Sequence, residues 1–154
     1  MKVTPLHRSG TSRPLIWERV DMSKVQIVTA GERESEQIHK GLQAYNRKYF
    51  SDAADLSFAA KDEEGRLLGG VEAWRVSDYV MVDVLWVDES QRGTGVGRTL
   101  LEQVERTARE HGACRITLNT FRFQAPGFYE KLGYHQFAEI PCADGNLCFF
   151  QKEL

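Results

Sequence analysis

"YVMVDVLWVDESQRGTGVGRTLLEQVERTARE", residues 79–110, decides the fold. Residues 79–87 are apolar at nearly every position, the pattern of a central strand covered on both faces. Gly93, Gly95 and Gly97 then crowd into five positions. Beyond them Leu100, Leu101, Val104 and Ala108 return on one side of a helix, with Glu105 and Arg109 expected as an outward i, i+4 pair. Gly112 caps that helix behind the cationic Arg109. Glycine weakens strands and helices alike, so three at one strand-to-helix joint imply backbone that bends sharply or lies against something bulky.

Downstream, "CRITLNTF" (114–121) reads as a strand, making 79–121 a strand, helix, strand unit with parallel strands and a right-handed crossover. "APGFYEKLGY" (125–134) is a short helix with Pro126 in its first turn and Gly133 at its end. "HQFAEI" (135–140) and "LCFFQKEL" (147–154) close the chain as strands. Upstream, "LSFAAKDEEGRLLGGVEAW" (56–74) gives two strands through a "DEEG" turn, and Ser77-Asp78 returns the chain into residue 79 as an antiparallel meander. Ile38, Leu42 and Tyr45 mark an amphipathic helix over 33–49, and "KVQIVTA" (24–30) alternates as a first strand through Val25, Ile27 and Thr29.

Bulk properties restrict the function classes. A chain of 154 residues, 42% hydrophobic and 27% charged, fits one globular domain, and its apolar runs are too short for a membrane span. Twenty Lys and Arg against 22 Asp and Glu leave a net charge of −2, no field for nucleic acid or an anionic bilayer. Cys114, Cys142 and Cys148 lack C-x-x-C spacing, which fits a reducing cytoplasm. The four histidines show no metal-binding spacing, so no metal is expected. Residues 1–21, with turn-forming Pro5, Gly10 and Pro14 and no helical stripe, read as an N-terminal extension: an upstream start or an added lead, with Met22 as the natural beginning and 22–154 as one domain.

The glycine turn follows a strand and opens a helix, where unpaired amides and the helix dipole favour an anion. Glycines admit a bulky pyrophosphate, and Arg92 and Arg98 add charge. A P-loop would need Gly-Lys-Ser/Thr, and a dinucleotide fingerprint would need G-x-G-x-x-G; both fail on register. What remains is an R-x-x-G-x-G string, Arg92-Gly93-Thr94-Gly95-Val96-Gly97. With "LWVDESQRGTGVG" (85–97), the later "FYEKLGY" (128–134) and the order of elements, residues 22–154 resemble the GNAT superfamily of N-acetyltransferases. The resemblance implies an α+β fold with a mixed, mostly antiparallel sheet of about seven strands and helices on both faces. It also implies acetyl-CoA as cosubstrate, held by residues 92–98, and direct transfer of the acetyl group to a primary amine, expected on a small molecule. A coenzyme-binding module without turnover is the alternative. Partners are then acetyl-CoA and the amine, with neither nucleic acid nor membrane, in a chain that could pair as a homodimer.

Within that resemblance, Tyr129 takes the position of the acid that protonates the departing thiolate; as a helix residue it also reads as an aromatic core side chain. A main-chain N–H near Val87 would polarise the thioester carbonyl, and Leu85, Trp86 and Val87 would line the pantetheine arm or simply fill core. Asp83, a lone carboxylate in an apolar strand, is expected to be buried, either as a base with a raised pKa or in an ion pair with an arginine such as Arg75. Glu72 is the reserve base. Arg122 stands where the family often carries a pantetheine-contacting asparagine; Asn119 and Gln124 flank it, and Asn119 and Phe128 are assigned to the cofactor wall. Tyr45, Asn46, Tyr49 and Phe50 would face the acceptor or continue a helical core stripe.

Overall fold

A computed structural model describes residues 21–50 and 53–154, so the expected extension, residues 1–21, lies outside the described residues except for Asp21. The described residues divide into two compact units, one up to His39 and one from Lys40 onward.

In the first unit the expected strand at 24–30 does not form. Residues Met22–Lys24 make a single 3-10 turn capped by Asp21, whose carboxylate accepts from the Ser23 amide at 3.0 Å. Residues 25–31 have no regular structure and pair with no strand among the described residues, and Ile27 is 91% exposed. Helix α1, Glu32–Asn46, begins in this unit and ends in the second, close to the expected span.

The second unit holds a seven-stranded sheet: β1 (Ala54–Asp55), β2 (Phe58–Lys61), β3 (Leu67–Val76), β4 (Tyr79–Val87), β5 (Arg115–Phe121), β6 (His135–Ile140) and β7 (Leu147–Glu153). The order is β1-β3-β4-β5-β7-β6, with β2 also on β3. Every pairing is antiparallel except β4 with β5. Helix α2 (Val96–Glu110) makes the crossover between those parallel strands, and α3 (Pro126–Lys131) joins β5 to β6.

The core lies under α2. Leu100, Leu101, Val104 and Ala108 are buried against Val71 and Ala73 of β3, Val80 and Val82 of β4, and Ile116 and Leu118 of β5. Leu101, fully buried, is the kind of side chain whose removal from water contributes about 1.5–3 kcal/mol. Close approach of helix and sheet depends on Gly69, where a Cβ would stand 2.8 Å from the Trp86 carbonyl oxygen and 3.1 Å from Val96 Cγ1. Gly112 (φ +78°) and Gly133 (φ +86°) end α2 and α3 in left-handed backbone, as the sequence indicates.

Two irregularities open the sheet. On β3, Glu72 faces Val84 but Ala73 faces Val82, so Asp83 is an extra residue, a β-bulge that bends β4. Pairing of β4 with β5 then stops: Tyr79–Val82 match Arg115–Leu118, and nothing beyond Val82 pairs. The second half of β4 is therefore not covered on both faces as its apolar composition suggests. Val84 and Trp86 are 46% and 44% exposed, and Asp83 is exposed as well.

Candidate active site

Where β4 and β5 part, a cleft of about 940 Å³ opens toward the glycine turn. Backbone alternation fixes what its β4 wall offers. The Asp88 amide donates to the Leu68 carbonyl at 2.9 Å, so it points at β3. Successive amides of a strand point to opposite edges, so the N–H of Val87, and that of Leu85 before it, points to the edge that β5 has left.

The three glycines divide their tasks. Gly93 (φ +78°) and Gly95 (φ +101°) adopt backbone that side-chain-bearing residues rarely take, and a Cβ on either would meet nothing within 4 Å. Gly97 is ordinary helix; there a Cβ would come within 3.3 Å of Val87 Cγ2 and 3.4 Å of Phe128 Cζ, so its role is packing. The first bond of α2 runs from the Thr99 amide to the Gly95 carbonyl at 2.9 Å. The amides of Val96, Gly97 and Arg98 precede it and, with those of Gly93 and Gly95, find no acceptor among the described residues. Arg92 lies over this turn with its Nε 3.4 Å from the Val87 carbonyl, and Arg98 forms an exposed pair with Glu102 at 3.8 Å. A loop of unpaired amides without Cβ atoms, flanked by two guanidinium groups, suits a diphosphate.

On the opposite wall α3 presents Tyr129, buried and packed edge-on against Phe128 (5.1 Å between ring centres) and Tyr134 (6.1 Å). Burial raises its phenol above the usual tyrosine pKa, so at neutral pH it carries its proton. Asp83, at the bulge, turns its carboxylate to the Trp74 indole N–H at 2.9 Å. The expected burial of Asp83, and with it the alternative that pairs it with Arg75, is therefore corrected: Asp83 is exposed, the Arg75 guanidinium donates to the Ser77 carbonyl, and the bulge explains how a carboxylate enters an apolar strand without desolvation.

The cleft brings together Asp83, Leu85, Trp86, Val87, Arg92, Gly93, Gly95, Gly97, Arg98, Asn119, Phe128 and Tyr129. Thr94 and Val96 instead line a smaller hollow of about 470 Å³ with Phe58 and Leu100, although Gly95 borders both. Glu72 is not on the cleft wall, and neither are Tyr45, Tyr49 and Phe50, which are exposed. Arg122 is held away by Glu139 at 2.7 Å. Gln124 does line the cleft, and its side-chain oxygen accepts from the Phe121 amide at 2.8 Å and the Thr120 hydroxyl at 2.9 Å, closing the turn after β5. Sequence reasoning missed Phe121 and Phe123, stacked at 5.3 Å on the β5 side of the cleft; aromatic residues flanking a turn carry no local signal that distinguishes wall from core.

The profile of the Acetyltransferase (GNAT) family matches residues 24–134. The chain belongs to the GNAT family. Among curated proteins, this GNAT chain is 42% identical over 80 residues to a blasticidin-S acetyltransferase of Streptomyces morookaense; the match takes in 51% of the chain and 59% of that protein's length. Among solved structures it is similar to an acetyltransferase from Bacillus cereus (34% identity, TM-score 0.67, 86% of this chain and 100% of that one). A Bacillus anthracis protein proposed to be a streptothricin acetyltransferase, solved in complex with acetyl coenzyme A, shares the fold at 20% identity (TM-score 0.58, 65% and 62% covered).

Proposed function

We propose that this GNAT chain transfers the acetyl group of acetyl-CoA directly to a primary amine of a small-molecule acceptor, with residues 22–154 acting as one acetyltransferase domain. The observation that carries this reading is the union, in one cleft, of unpaired amides at the glycine turn, an unpaired β4 edge and a protonated Tyr129. The 42% identity to a protein named as a blasticidin-S acetyltransferase supports a small-molecule acceptor.

In this reading, the free amides within residues 93–98, those of Gly93, Gly95, Val96, Gly97 and Arg98, with the Arg92 and Arg98 side chains, hold the diphosphate, and the pantetheine arm runs along Leu85, Trp86 and Val87, on the β4 edge that β5 leaves unpaired. Asn119 and Phe128 bound the other side. The Val87 N–H, fixed by the strand and aimed into the split, donates to the carbonyl oxygen and stabilises the negative charge that develops on it. Tyr129 donates its proton to the departing thiolate; burial favours the neutral phenol until that step. Asp83, exposed at the cleft wall and anchored by Trp74, takes the proton of the ammonium directly or through water, leaving a neutral nucleophile.

Thiol release from acetyl-CoA, followed by a colorimetric thiol reagent across a panel of polyamines, aminoglycosides, nucleoside antibiotics and amino acids, tests the proposal. Release that depends on one class of amine is the expected result. Coenzyme binding without release for any amine would favour a binding module instead.

A further inference from the structure

Glu105 is unexplained by the chemistry above. It lies midway along α2, and with Arg109 its sequence spacing suggests a surface pair, yet it is 4% exposed. One carboxylate oxygen accepts from the Tyr134 hydroxyl at 2.9 Å; the other faces Lys152 Nζ at 2.7 Å and Arg109 at 3.5 Å. Lys152 also sits over the Tyr134 ring, 5.4 Å from its centre. Burying a carboxylate is costly, and an apolar set of similar volume is often no less stable, so net stability does not account for such a network; its directed contacts define a geometry.

The geometry concerns α3. This helix has six residues, too few to hold itself in place. Immediately after it the chain reverses at Gly133 and the Tyr134 amide donates to the Tyr129 carbonyl at 3.1 Å, while the two rings pack edge to face. Tyr134 therefore grips Tyr129 through backbone and ring, and Glu105 grips Tyr134. Glu105 belongs to the helix whose first turn holds the unpaired amides, so a single buried carboxylate ties the anion cradle to the position of the phenol.

We propose that Glu105 is a positioning residue that, through Tyr134, fixes the Tyr129 hydroxyl relative to the first turn of α2. The inference rests on the reading of Tyr129 as the proton donor for its kinetic consequence, but not for its structural one. Glu105→Gln keeps the shape and removes the charge that Lys152 and Arg109 require; Tyr134→Phe removes only the hydroxyl, a milder change that preserves the core.

The test combines three measurements on the full chain with Glu105→Gln, Tyr134→Phe and the double variant: coenzyme A affinity by calorimetry, kcat and KM with the best amine of the panel, and the Tyr129 ring resonance in protein labelled with 13Cζ-tyrosine. We expect unchanged coenzyme affinity and a Tyr129 resonance that is displaced or broadened in both single variants. We also expect kcat to fall about 10- to 100-fold, the scale of an ångström-level misplacement, with the double variant no worse than the poorer single one because both act through one contact. A sharp Tyr129 resonance at its original position in Tyr134→Phe and Glu105→Gln overturns the proposal, whatever the melting temperatures do. A displaced resonance with undiminished kcat would keep the positioning and remove Tyr129 from the acid role.

Discussion

Replacing Gly95 by alanine isolates the conformational demand of the glycine turn from its steric one. Gly95 has φ 101° and ψ −6°, and a Cβ there would meet no atom within 4 Å. In the free protein alanine therefore fits the space and suffers only in its backbone, at a cost of about 1–2 kcal/mol. That strain must surface in one of two places. If the variant keeps the turn when empty, the free protein is destabilised and its melting temperature drops by about 2–4 °C per kcal/mol. If the turn relaxes when empty, coenzyme A must restore it, and affinity weakens about 5- to 30-fold. Denaturant unfolding without ligand and calorimetric titration with coenzyme A measure the two parts, and their sum should equal the strain. Gly97→Ala is the contrasting case: its cost comes from pressing Val87 and Phe128 apart. A summed effect for Gly95→Ala within about 0.5 kcal/mol, the range of an ordinary surface change, would refute the claim that left-handed backbone shapes the cradle.

Tyr129→Phe should lower kcat by about 10²-fold or more while leaving coenzyme affinity unchanged; because burial holds this phenol above its ordinary 10.0, wild-type kcat should show no loss from Tyr129 ionisation below that pH. Asp83→Asn can still accept from the Trp74 indole, so folding should survive, and steady-state kinetics should show turnover reduced about 10²-fold. Hydrogen bonds from Asn146 and Gln136, together with Arg122, hold the Glu139 carboxyl down to about 2 against 4.5 for the free group. Its stabilising effect is thus complete above pH 4.5 and lost as the pH falls toward 2. Circular dichroism should find that Glu139→Gln flattens the acid limb of the stability curve.

The parts of the fold legible in the sequence are those set by local chemistry. Glycine and proline positions gave the ends of α2 and α3, and the apolar run before Gly93 gave β4. What failed needed information from elsewhere in the chain. Alternation at Val25, Ile27 and Thr29 describes a strand only if a ladder partner exists, and residues 24–30 find none among the described residues. Asp83 looked buried because composition cannot reveal a bulge, which arises from the mismatch of β4 against Glu72 and Ala73 of β3. Glu105 looked superficial because its partners, Tyr134 and Lys152, stand 29 and 47 residues away. The cleft itself was legible as a set of residues, most of which do line it. The division between Gly93 and Gly95, which set backbone, and Gly97, which sets packing, was not, since all three read alike as missing side chains.

A crystal structure of the chain with coenzyme A bound tests the central claim most directly. The phosphate oxygens should lie within hydrogen-bond distance of the amides of residues 93–98, with the pantetheine along the unpaired edge of β4 and the sulfur beside the Tyr129 hydroxyl. Phosphates seated away from the glycine turn, or a sulfur remote from Tyr129, would contradict it.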